Sequence, residues 1–124
     1  MTPRLFLTVL LPIFLVLTAA AARAASFDCA KAAKPDETAI CGSTKLSDLD
    51  VEMATLYRVR MELPMLMGAR GAAQDEQRAF LNQREQCGGN VTCIQAAYTA
   101  RIATLNQTIK AAMQDYCAKL GICG

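Results

Sequence analysis

Six cysteines and no histidine set the terms on which this chain can fold. The cysteines are Cys29, Cys41, Cys87, Cys93, Cys117 and Cys123, and all lie downstream of a long apolar start. An even set in a short exported chain reads as a disulfide framework, whereas a cytosolic chain would use the same residues for metal or redox chemistry. Neither a C-x₂-C knuckle nor a C-x-x-C redox pair occurs, so the sulfurs read as mechanical staples. Without histidine there is no Cys₂His₂ zinc site, no imidazole base and no Ser–His or Cys–His nucleophile pair. Asp75, Glu76 and Glu85 do not make a glycosidase pair, because adjacent carboxylates diverge on a helix. The chain is therefore expected to be no enzyme, with no catalytic residue, no metal site and no cofactor.

The first residues explain the compartment. Arg4 precedes an apolar run from Leu5 to about Ala22, and Ala22-Arg23-Ala24 supplies the small-residue exit of a secretory signal peptide. Residues 1–24 are read as a cleaved leader, which places the mature protein in the periplasm or outside the cell with no stable membrane insertion. Of 13 Lys+Arg and 11 Asp+Glu, removal of Arg4 and Arg23 leaves 11 of each. A formally neutral surface offers no long-range attraction to nucleic acid or anionic lipid, and neither is expected as a partner.

Periodicity points to an all-α fold. Pro35 followed by Asp36 and Glu37 suits a short helix running to Cys41, ended by Gly42. Ser47 with Asp50 resembles a capping box, so the next helix is predicted to begin there and to close at Pro64. Gly68 and Gly71 disfavour helix, which leaves Gly68-Ala69-Arg70-Gly71 as a loop, with a third helix from Ala72 that turns Phe80 and Leu81 inward. After Gly88-Gly89-Asn90, apolar residues at three- and four-residue steps from Val91 to Tyr116 predict a long last helix, with Gly121 just past its end. The expectation is a small disulfide-stapled bundle of three main helices plus a short leading one. Short connections make neighbouring helices antiparallel and gather Cys29, Cys41, Cys87 and Cys93 at one end. A local scheme of Cys29–Cys41, Cys87–Cys93 and Cys117–Cys123 fits the spacing. Bridges from Cys29 or Cys41 to Cys87 or Cys93 fit it too, and the pairing stays open.

In their order along the chain, "FDC", "ETAIC", "LSDLDVEMATLY", "DEQRAFLNQREQC" and "CIQAAYTARIATL" resemble the LprI-like family of lysozyme inhibitors. The likeness spans Phe27 to about Leu105, giving an LprI-like domain over 25–105 and a C-terminal extension, 106–124, with an extra cysteine pair. Phe80 stands where the family commonly has Trp, and Lys34 where it commonly has a Ser/Thr helix cap. The resemblance implies a helical, exported, non-catalytic protein whose partner is lysozyme. Filling a lysozyme cleft that holds two carboxylates calls for a rigid, protruding basic or hydroxyl group. Two loops qualify: Ser43, Thr44 and Lys45 beside Cys41, and Arg70 in the glycine-flanked segment. Arg84 and Arg101 are read as structural, with their stems along the bundle and Asp50 or Glu85 as partners. Tyr57 and Tyr98 are read as core residues with hydroxyls reaching the rim.

Overall fold

In the computed structural model, residues 25–122 are described. The predicted leader and Cys123 lie outside the described residues. A 3₁₀ turn at Cys29–Lys31 precedes four helices: α1 (Pro35–Cys41), α2 (Thr44–Glu62), α3 (Met67–Gln86) and α4 (Val91–Leu120). No strand occurs among the described residues. The fold is all-α.

Cross-helix pairs give the topology. Arg70 meets Met61 and Gln77 meets Met53, so α3 runs antiparallel to α2. Arg84 meets Tyr98 and Arg101 meets Gln77, so α4 runs antiparallel to α3 and parallel to α2. The core lies between α2 and α4 and is closed by α1 and α3. Ile40, Leu46, Ile94 and Tyr98 have no accessible surface, and Met53, Phe80, Ile102 and Leu105 complete the packing.

Two bridges brace the end where α1 meets α3 and α4. Cys29–Cys41 spans 12 residues and Cys87–Cys93 spans 6, with Cα–Cα distances of 5.8 and 5.6 Å. The local pairing is therefore the one formed at these four cysteines. By loop-closure entropy the two bridges contribute about 2.9 and about 2.4 kcal/mol. Cys117 is also disulfide-bonded, and no described cysteine is free.

Several sequence expectations need correction. α2 begins at Thr44, three residues before the predicted start, because Ser43 caps it with Oγ accepting from the Leu46 N–H at 3.3 Å. Ser47 is buried one turn inside the helix, donating to the Ile40 carbonyl at 2.8 Å, and so ties α2 to α1. Asp50 turns inward and never reaches back to Ser47. The segment 68–71 is helix, not loop: α3 opens at Met67 and takes both glycines into its first turns. Each glycine costs about 1 kcal/mol there relative to Ala. The Arg70 N–H closes a backbone bond to Leu66 at 3.0 Å, and the Arg70 guanidinium donates to the Met61 carbonyl at 2.9 Å, capping α2 and pinning the opening of α3. Leu81 faces solvent at 38% exposure while Phe80 is buried at 5%, since a helix cannot turn two consecutive side chains onto one face.

Candidate functional site

The braced end encloses a polar network built from all four helices. Asp36 enters from the first turn of α1, Asp50 from α2, and Arg84 and Tyr98 from facing turns of α3 and α4. The Arg84 Nε donates to Asp36 Oδ2 at 2.8 Å, and its Nη1 donates to the Tyr98 hydroxyl at 3.1 Å. Tyr98 in turn donates to Asp50 Oδ1 at 2.7 Å, and the backbone N–H of Ser26 donates to Asp50 Oδ2 at 2.6 Å. Arg84 Nη1 also lies 3.8 Å from Asp50 Oδ1. Phe27 covers the guanidinium from 5.9 Å, and Phe80 packs on the Tyr98 ring with centroids 5.4 Å apart. Burial, and behind it the Asp50 carboxylate, push the Tyr98 hydroxyl well above the ordinary phenol range. Burial opposes the charge of Arg84, but Tyr98 and Asp36 outweigh it and raise its pKa. Asp36 Oδ1 is buried with no hydrogen-bond partner.

This network holds the scaffold together. Arg84 and Arg101 both run along the bundle as the sequence suggests, but their partners differ in part. Arg84 pairs first with Asp36 and only then with Asp50. Arg101 pairs with Glu76 at 3.4 Å and donates to Gln77 Oε1, while Glu85 is taken by Lys34 at 2.7 Å. The Tyr98 hydroxyl is fully interior, away from the rim, while Tyr57 is half-buried against the core. Residues carrying the family-like motifs (Phe27, Cys29, Cys41, Asp50, Phe80, Arg84, Tyr98, Arg101) are thus largely internal. They specify a fold and leave the surface to other positions.

The four candidate contact residues divide into two places. Ser43 is committed as the α2 cap, whereas Thr44 and Lys45 project from the first turn. Lys45 is exposed and has no hydrogen bond or ion pair among the described residues. Its neighbours at that end are already paired, Lys34 with Glu85 and Lys31 with Asp28. Hydrogen bonding to Glu85 raises the Lys34 pKa. Arg70 stands against Met61, 16 residues along α2 from Lys45, or about 24 Å. The two positions are thus well separated along α2.

The far end carries the part of the long last helix that its shorter neighbours leave uncovered. Asp50 pairs with Tyr98, so α2 and α4 run parallel with Glu62 level with about Lys110. The last ten residues of α4 run about 15 Å past the end of α2. The apolar stripe that supplies Ile102 and Leu105 to the core continues past Ile109 onto this segment as Ala112, Met113, Tyr116 and Leu120. With Leu63 to Leu66 of the α2–α3 connection it forms an open groove of about 490 Å³. Leu66 and Met67 are 85% and 90% exposed, and Met113, Tyr116, Leu120 and Ile122 are 54, 44, 60 and 71% exposed. The sequence signal is the apolar stripe from Val91 to Tyr116, longer than either neighbouring helix; in the structure α4 has 30 residues against 19 and 20 for α2 and α3.

Among the described residues no group of three or more metal-ligating side chains converges, and no helix is long and apolar enough to cross a membrane. Fold and surface together define a disulfide-braced helical bundle with a closed polar interior, a charged braced end and an apolar tip. Compared with known protein families, curated proteins and solved structures, the chain matches none.

Proposed function

We propose that this is an exported, non-catalytic lysozyme inhibitor of the LprI-like kind, released from its leader after Ala24 into the periplasm or the medium. It binds by inserting its braced end into the lysozyme cleft. The observation that carries this reading is Lys45: an exposed, unpaired cation on a backbone fixed from three sides. The Cys29–Cys41 bridge holds the preceding helix, Ser43 caps the turn, and buried Leu46 and Ser47 anchor the next residues. A cleft bearing two carboxylates favours such a cation, and a preformed backbone spares the ordering cost of binding. Thr44 adds a hydroxyl at the same turn. Turbidity clearing of bacterial cells with oxidised mature protein is the test. Inhibition is expected at micromolar protein, and K45E weakens it at least about tenfold. Undiminished lysis across lysozyme classes overturns the reading.

A second reading rests on the apolar tip: an envelope interaction module that pairs with a second copy of itself. A standard interface needs about 800 Å² from each partner, and six large apolar side chains at 44–90% exposure supply an area of that order. Equal formal charges of 11 and 11 after residue 24 impose no long-range repulsion between copies. Mass rising with concentration, and a monomer for L120D, are expected. A concentration-independent monomer removes this reading and leaves the inhibitor one untouched.

A further inference from the structure

The buried polar cluster at the braced end is one positive charge short. Asp36 and Asp50 are 0% and 1% exposed, and Arg84, at 7%, is the one described cation within ion-pair reach of either. Two carboxylates and one guanidinium sum formally to −1. An uncompensated charge in a low-dielectric interior is strongly unfavourable.

The chain brings a second donor to Asp50 from an unexpected place. The backbone N–H of Ser26 sits 2.6 Å from Asp50 Oδ2, and Ala25, 4% exposed, belongs to the hydrophobic core. Ala25 is also the first residue after the Ala22-Arg23-Ala24 exit pattern. Hydrolysis of the Ala24–Ala25 peptide consumes one water, leaves a carboxylate on Ala24 and frees an amine on Ala25, which takes up a proton. Neighbouring backbone nitrogens are within about 3.7 Å of each other, so the new ammonium arises within roughly 6 Å of Asp50 Oδ2.

We propose that removal of the leader completes this fold electrostatically: the Ala25 ammonium created by cleavage neutralises the Asp36–Arg84–Asp50 cluster through Asp50. The inference rests on cleavage after Ala24, and it makes export and full stability one event. The precursor, with an amide at that position, lacks the compensating charge and stays easier to unfold until it has crossed the membrane.

Intact mass of the exported protein tests the cleavage position. A chain starting at Ala25 is expected, and any other start overturns the processing half of the proposal. The electrostatic half is tested separately on disulfide-intact chains of defined start, by urea unfolding. The chain with a free Ala25 amine is compared with the same chain acetylated there and with one extended by Ala24. Acetylation is expected to lower the folding equilibrium constant at least about tenfold, and the extension to lower it less. D50N is expected to abolish the difference between free and acetylated chains. Equal midpoints for these two forms in the natural sequence overturn the electrostatic half whether or not D50N folds.

Discussion

Replacing Arg84 by Met isolates what the buried network contributes. The thioether keeps most of the stem's packing volume beneath Phe27 but removes the donors to Asp36 and Tyr98. Asp36 already has one buried oxygen without a partner, and after the change neither oxygen has one. Removing one partner of a buried ion pair costs about 3–5 kcal/mol. A domain of this size has on the order of 5–10 kcal/mol in total. The expected loss in Tm is roughly 12–24 °C at the lower end of that cost. Asp36→Leu alone leaves Arg84 short of its nearest carboxylate and is expected to cost a similar amount. The double variant removes both charges together and is expected to be less destabilised than the sum of the singles by at least about 1 kcal/mol. Urea unfolding followed by far-UV circular dichroism, with the bridges intact, gives all four corners of the cycle. Strict additivity would refute the reasoning, because it would mean that the pair is not coupled across α1 and α3.

Three further outcomes follow from the same geometry. Tyr98 has a raised folded pKa, so its contribution is complete below the unfolded value of about 10 and is lost as pH rises toward the folded value. Tyr98→Phe should cost about 1–3 kcal/mol at neutral pH and should flatten the decline of stability on the alkaline side, read by urea titration across that range. Glu37 has a lowered pKa because it accepts from the backbone N–H groups of Ala33 and Lys34. Its contribution is present above the unfolded carboxylate value of about 4.3 and is lost as pH falls through the lower folded value, so Glu37→Gln should flatten the acid limb. Gly88 has φ +53° and Gly89 does not have positive φ, while a Cβ on either would meet nothing within 4 Å. Gly88→Ala should therefore lose about 1–2 kcal/mol and Gly89→Ala should lose little, as thermal unfolding would report.

The helices were legible where local chemistry and tertiary structure agree. Pro35 to Gly42 forms the predicted helix because Pro, two acids and a terminal Gly each favour it locally. The Val91–Leu120 helix follows from an apolar stripe and from Gly121, which adopts the left-handed conformation at φ +66°. The sequence favours Ser47 as the start of α2 because Asp50 completes a capping-box pattern there, although Ser43 is an equally competent cap. Only the carbonyl of Ile40, brought close by α1, assigns Ser47 to a different bond. The opening of α3 is not legible in the sequence, because the contact that pins it, Arg70 to Met61, joins residues nine apart on separate helices. The ion-pair partners were less legible still: Asp36 and Arg84 are 48 residues apart, and no periodicity relates them. Lys45 could be named from the sequence, but its lack of a partner is a fact of three dimensions.

The passage of α4 through Leu105 and Asn106 has no break, cap or glycine. The tip is thus a rod welded to the core and never a tether. Whatever grips Tyr116 or Leu120 takes hold of the whole molecule's orientation, and a pull there bears on Tyr98 and its partner Asp50 about five to six turns away.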